Sequence, residues 1–398
     1  MNLTYNKNNL LIIFLFIIII FINFRYVYIT GAQHDYLSNL KMWQSVIDGH
    51  SPWSLHGVWF GPIFWLIGYL SALHPLLPKI LGFVLWNFIF VTISLRAKYN
   101  LPIILFFFLI LNSPNFWVEI FKWGHLESVM CFFILFSFIF FEKEKFLLSG
   151  IFFGLGVCFK FTPIIILPFL CINLLNSKKI LDRINYKFLI SFLFTFALIY
   201  LISVLIWDLR AITNFINMGL VRSENLSFFR FLRGEFSPLP VRSIEIYGKN
   251  IPDIISFISY PILAIIYSLI FFKFYYFKID RINSILLASL LVPVLYKSSY
   301  TQYFTLYFVL LLFYFKYLKN YSLDEFLKNH FITLLPLVIV TFHNFIHSYA
   351  THIYLDQGED PFWGGGNFGV LKLDEWIGLI ALFFFIPALN HFYRNRYS

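Results

Sequence analysis

Four titratable residues, Glu119, Lys122, His125 and Glu127, fall within nine positions in VEIFKWGHLESV, a stretch with apolar sequence on both sides. A carboxylate near an imidazole can bind sugar hydroxyls, orient a base or hold a divalent metal. The competing reading is an ion pair between Glu119 and Lys122, with the rest solvated. A second pair, His34 and Asp35, lies a few residues after an apolar run, in GAQHDYLSNLKMWQSVIDGHSPW. A carboxylate placed there can act as a general base toward an acceptor hydroxyl. Equally, it can cap the helix that the apolar spacing predicts over Leu37 to Ile47.

Lys160 precedes Thr162-Pro163 in LLSGIFFGLGVCFKFTPIIILPFLCINLL. A cation at a proline-broken helix end suits a phosphate at headgroup level, and snorkelling is the alternative. Farther on, Arg210, Arg222, Arg230, Arg233 and Arg242 alternate with Phe228, Phe229, Phe231 and Phe236. This pattern suits an amphipathic cover over a lipid phosphate better than a nucleic-acid groove, which needs a broad soluble face. His343, His347 and His352 near the C-terminal end stand in no recognised ligand spacing with a carboxylate, so no metal is expected. The Gly364-Gly365-Gly366 run follows no strand and carries no GK[ST], so it reads as a flexible loop or lid, not a phosphate cradle.

The elements that position these residues must be membrane helices. Of 398 residues, 60% are hydrophobic and 13% charged, against about 25% charged in a soluble domain. This excludes a water-soluble globular protein and implies an integral, multi-pass membrane protein. The +10 net charge then records topology before any nucleic-acid partner. Cys131, Cys158 and Cys171 contain no CxxC pair, so neither a disulfide framework nor a zinc site is indicated. The N-terminal LLIIFLFIIIIFINF has the length of a span and no A-x-A-like cleavage site, and is expected to be retained.

Gathering the Lys and Arg clusters on one side gives spans near 9–29, 79–95, 101–117, 125–141, 146–159, 163–176, 187–206, 254–272, 282–297, 302–315, 331–349 and 374–391. That is an all-α bundle of about twelve transmembrane helices in a single domain, 1–398, with both termini cytoplasmic. Trp59 to Leu73 is expected to lie at the outer interface as a short helix, because a full span there would invert every later joint. Thr162-Pro163 splits its run into two short helices. Outer loops fall at 30–78, 207–253 and 350–372.

These residues resemble the polyprenyl-phosphate-dependent glycosyltransferases of the GT-C superfamily, especially its mannosyltransferase-like and arabinofuranosyltransferase-like members. Three pieces carry the similarity. The first is Asp35 in the first outer loop, followed by Gly49-His50-Ser51-Pro52-Trp53 and Gly61-Pro62. The second is Trp123-Gly124-His125-Leu126-Glu127-Ser128, similar to the family's WGQ-x-D/N pattern but with His125 and Glu127 in place of its usual types. The third comprises Gly150, Gly154, Lys160, Thr162, Pro163 and Pro168, similar to GxxxGLxxxxKxTPxxLLP. The resemblance implies inverting transfer of one sugar, a hexose such as mannose favoured, from a polyprenyl-phosphate donor to a lipid- or glycan-linked acceptor on the non-cytoplasmic face of a plasma membrane. Asp35 matches the family's catalytic acid position. His34, His125, Glu127, Lys160, Arg230 and Arg233 are the expected substrate contacts, with no cofactor and no metal. The alternatives are a transporter or flippase of lipid-linked substrates and a lipid-linked glycan polymerase or ligase.

Overall fold

The computed structural model describes residues 7–32, 34–52, 60–96, 101–172, 184–210, 229, 244–246, 249–251, 254–277, 280–295, 301–315, 323–355 and 369–394. These residues are almost wholly helical, with one small β ribbon. The chain divides into two units, the first made of Met1–Pro163, Tyr186–Ile212 and Phe308–Phe326.

In the first unit, α1 (Lys7–Thr30) is followed by α2 (His34–Ile47), α3 (Pro62–Gly68, with a 3₁₀ turn Tyr69–Ala72) and α4 (Leu77–Arg96). Next come α5 (Leu101–Leu111) and α6 (Pro114–Phe116), the latter running into a π-helical turn, Trp117–Lys122. Helices α7 (Glu127–Glu142), α8 (Phe146–Phe159) and α10 (Tyr186–Ile206) follow, and the helical residues within 308–326 belong to the same unit. Helix α2 is one turn longer than expected, and the stretch around Pro62 is the short helix anticipated.

Gly150 and Gly154, four positions apart on α8, form the flat seam against α10. A Cβ at Gly150 would collide with Ser191 Oγ and the Phe188 carbonyl, and one at Gly154 would meet Thr195 Cβ at 2.9 Å. Small residues at this spacing let membrane helices pack backbone to backbone, where lipid supplies no hydrophobic drive.

The expected span 101–117 is broken. Pro114 follows Asn112-Ser113, and the two helical pieces bend by 44°. At the break the Leu111 carbonyl accepts from Trp86 Nε1 at 3.1 Å, and Asn112 Nδ2 adds a bond of 3.1 Å to the Phe108 carbonyl that already accepts from the Asn112 N–H. Asn23 of α1 donates to Asn112 Oδ1 at 2.8 Å. Such re-satisfaction is what makes a break tolerable away from water.

The second unit is Ile164–Asn185, Thr213–Tyr307 and Leu327–Ser398. It contains α9 (Leu167–Cys171), α11 (Ile254–Phe277) and α12 (Arg281–Leu295). Beyond α13 (Phe304–Tyr314) and α14 (Leu323–His330) lie α15 (Leu335–Leu355) and α16 (Gly369–Arg394). His330 Nδ1 and His391 Nε2 are 3.0 Å apart. An open apolar groove of about 540 Å³ runs along Pro168, Tyr267, Phe271 and Tyr275.

The described helices and ribbon bear on the span count and on two of the expected outer loops. Five helices among the described residues are long and apolar enough to cross a membrane, or six if the bent pair is one span, and the remaining apolar helices are shorter. The expected segments near 146–159 and 163–176 are among these shorter helices, as the break at Thr162-Pro163 anticipates. The expected loop 350–372 is helical at both ends, to Leu355 and from Gly369. Within 207–253, the described residues include a small antiparallel ribbon, β1 (Ile244–Ile246) with β2 (Lys249–Ile251), which leaves the all-helical class of the chain unchanged.

Candidate active site

The ends of four helices of the first unit converge with the π turn. The C-termini of α1 and α8, the N-termini of α4 and α7, and the π turn all contribute polar groups to one region, while Arg96 of α4 pairs with Glu142 of α7 at their opposite ends.

The π turn decides which side chains meet. Its wider winding gives a Trp123 N–H to Val118 carbonyl bond of 2.9 Å and a His125 N–H to Glu119 carbonyl bond of 2.9 Å. Gly124, at φ +63°, turns the chain into α7. In that left-handed region a side chain is disfavoured, and the space is taken as well: a Cβ would stand 2.7 Å from Tyr36 Cδ2 and 3.2 Å from Lys79 Cγ. The turn therefore sets Glu119 against His125, Oε2 to Nδ1 at 2.5 Å, both side chains buried. This replaces the Glu119–Lys122 pair, which α-helical spacing would have favoured. A carboxylate on Nδ1 fixes the imidazole's orientation and favours Nε2 as its acceptor face.

Glu127 opens α7, and its Oε1 accepts from Lys160 Nζ at 2.5 Å; the two residues are 1% and 4% exposed. Lys160 sits in extended backbone just past the end of α8, where Thr162-Pro163 prevents the helix from continuing. Its ammonium is thus engaged by a carboxylate rather than presented at a surface as a phosphate ligand or a snorkelling side chain. Glu127 Oε2 and the neighbouring Ser128 Oγ are buried with no hydrogen-bond partner among the described residues. Each is an acceptor suited to a sugar hydroxyl.

A third buried group was not anticipated. Lys79, on the first turn of α4, is 1% exposed and donates to Thr30 Oγ1 at 2.9 Å, the Gly31 carbonyl at 2.8 Å and the Lys122 carbonyl at 3.1 Å. Tyr36 lies beneath it, its hydroxyl donating to the Pro75 carbonyl at 2.5 Å and accepting from the Lys79 N–H at 3.3 Å. Burial pushes the Tyr36 phenol up, so it stays a neutral donor. The readable signal for Lys79 was its position: a lone lysine at the end of α4 away from the basic clusters.

His34 and Asp35 stand on the first turn of α2, beside Tyr36; their side chains lie outside the described residues, as do Arg230 and Arg233. Ser51, in the Gly49-to-Trp53 stretch, bonds Asp208 just after α10, and that carboxyl is held below its usual range chiefly by its hydrogen bond from Arg210. His343 is buried on α15, and the side chains of His347 and His352 lie outside the described residues, as does Gly364-Gly365-Gly366. Among the described residues no group of three His, Cys, Asp or Glu side chains is placed to hold a metal.

Residues 59–240 match the model of glycosyltransferase family 87, a GT-C-type membrane family. The protein is a membrane glycosyltransferase. No curated protein matches the chain. The matched stretch contains Lys79, both buried carboxylate pairs and the seam of α8 against α10, so the transferase's shared segment is the one that builds this region. Asp35 lies N-terminal to it and reaches it through Tyr36.

Proposed function

We propose that the enzyme transfers a single sugar, a hexose such as mannose, with inversion, from a polyprenyl-phosphate donor to a lipid- or glycan-linked acceptor hydroxyl on the non-cytoplasmic face of the plasma membrane. The observation that carries this reading is the docking of α2 onto the family 87 segment. Tyr36, the residue after Asp35, packs on Gly124, next to His125 in the turn that leads into Glu127. In this reading Asp35 takes the proton from the acceptor hydroxyl as the oxygen attacks the anomeric carbon, and the C–O bond to the phosphate breaks on the opposite face.

Phosphate is a competent leaving group, so positive charge and positioning supply most of the acceleration. Because Lys160 is engaged by Glu127, the phosphate falls to the loop arginines Arg230 and Arg233, while His34, His125 and Glu127 contact the sugars. Lys160 acts by orienting Glu127. The bundle that carries this chemistry has about twelve membrane segments, several of them shorter than a full span, and both termini are cytoplasmic. No nucleotide cofactor or metal is required.

The test is sugar transfer in membranes, with labelled polyprenyl-phosphate mannose, glucose and arabinofuranose offered to endogenous acceptors. Native protein is expected to transfer one sugar and Asp35→Asn none at matched expression. Undiminished transfer by Asp35→Asn would make that residue a helix-terminal group and leave His125 as the base. Movement of labelled lipid across the bilayer without transfer would replace the reading with a flippase.

A further inference from the structure

Lys79 is a buried ammonium with three protons and three oxygen acceptors, all of them neutral. Among the described residues no carboxylate lies within ion-pair distance of it. Burying a cation in this way is costly, and a leucine at the start of a membrane helix would pack without that cost. The arrangement must therefore secure something else, and its geometry indicates what.

Two of the acceptors, Thr30 Oγ1 and the Gly31 carbonyl, close α1. The third, the Lys122 carbonyl, ends the π turn that brings Glu119 to His125. Thr30 Oγ1 also lies 3.2 Å from the Phe121 carbonyl. On the far side of Asp35, Tyr36 is held through both the Lys79 N–H and the Pro75 carbonyl, and its ring faces Lys79 Nζ at 5.7 Å. One side chain and its own backbone thus hold the chain before and after Asp35, and tie both to the turn that carries the buried carboxylates.

The geometry points to Lys79 as the positioning residue of the transfer site. It fixes the backbone that carries Asp35 relative to the turn Phe121–Glu127, and it does not bind substrate. This inference rests on the reading of Asp35 as the base. A displacement of about 1 Å in such a group can cost on the order of a hundredfold in rate, whereas ground-state binding of donor elsewhere is untouched.

The experiment measures kcat and donor KM in membranes for native protein, Lys79→Met, Thr30→Val and the double variant, normalised to folded protein by size-exclusion of a fluorescent fusion. Lys79→Met is expected to lower kcat at least about tenfold with donor KM within about twofold. Thr30→Val, which removes one acceptor, is expected to move kcat the same way by less. The double variant is expected to be no worse than Lys79→Met alone, because both changes cut one tie.

Unchanged kcat in Lys79→Met, or a raised donor KM with kcat intact as for a phosphate ligand, overturns the inference. So do fully additive losses in the double variant. Should Lys79→Met fail to fold, Thr30→Val decides alone, since it alters a single hydroxyl: lowered kcat at constant KM supports the inference, and native kinetics sinks it. Absence of transfer by native protein would instead defeat the glycosyltransfer reading itself.

Discussion

Glu127 and Lys160 are oppositely charged and almost fully buried. In such pairs the desolvation cost rivals the attraction, so the pair adds little net stability, yet breaking it strands a charge. Glu127→Ala leaves the Lys160 ammonium buried alone and is expected to destabilise the protein by about 3–5 kcal/mol. The double variant Glu127→Leu with Lys160→Met removes both charges and should recover most of that loss. Thermal unfolding of detergent-solubilised protein checks both. The double variant should nevertheless transfer no sugar, because Glu127 Oε2, an acceptor without a protein partner among the described residues, is gone with its charge. Recovered stability with recovered activity would make the pair structural only.

At the scale of elements, the α8–α10 seam and the π turn make contrasting demands on glycine. Gly150→Ala puts a methyl group into Ser191 Oγ and the Phe188 carbonyl, so α8 and α10 must separate, at about 1–3 kcal/mol. Ile151→Ala, on the exposed side of α8, should change thermal stability by less than about 0.5 kcal/mol. Gly124→Ala adds left-handed strain of about 1–2 kcal/mol and pushes on Tyr36, so transfer should fall more steeply than stability. Comparing kcat with the unfolding temperature separates the two effects.

The break at Thr162-Pro163 and the short helix at Pro62 were legible in the sequence, because proline acts locally. The Glu119–His125 pair was not, since residues six apart do not face each other on an α-helix and nothing in WVEIFK announces a π turn. Nor was the Glu127–Lys160 pair: each residue was visible as a lone charge in apolar sequence, but their meeting depends on α7 and α8 being antiparallel neighbours with matched ends.

At the scale of the whole molecule, what connects chemistry to biology is which face of the membrane the site occupies. Helix α7 is 16 residues long, which at about 1.5 Å per residue is roughly 24 Å. That length separates the Glu127 end, where α2 docks, from the turn Lys143–Lys145, where the basic residues that set orientation collect. In the proposed orientation, which follows the positive-inside rule, α2 is outside and Lys143 inside. Because Cys131, Cys158 and Cys171 are all buried, native protein should react little with a membrane-impermeant maleimide. That makes single-cysteine mapping direct. Lys41→Cys, on the exposed face of α2, should be labelled in intact cells, and Lys143→Cys, exposed in its turn, only after the membrane is permeabilised. The reverse pattern would put Asp35 and the carboxylate pairs in the cytoplasm. A sugar donor there would be a nucleotide sugar as readily as a lipid phosphate, and the polyprenyl-phosphate assignment would fall while the glycosyltransferase itself stood.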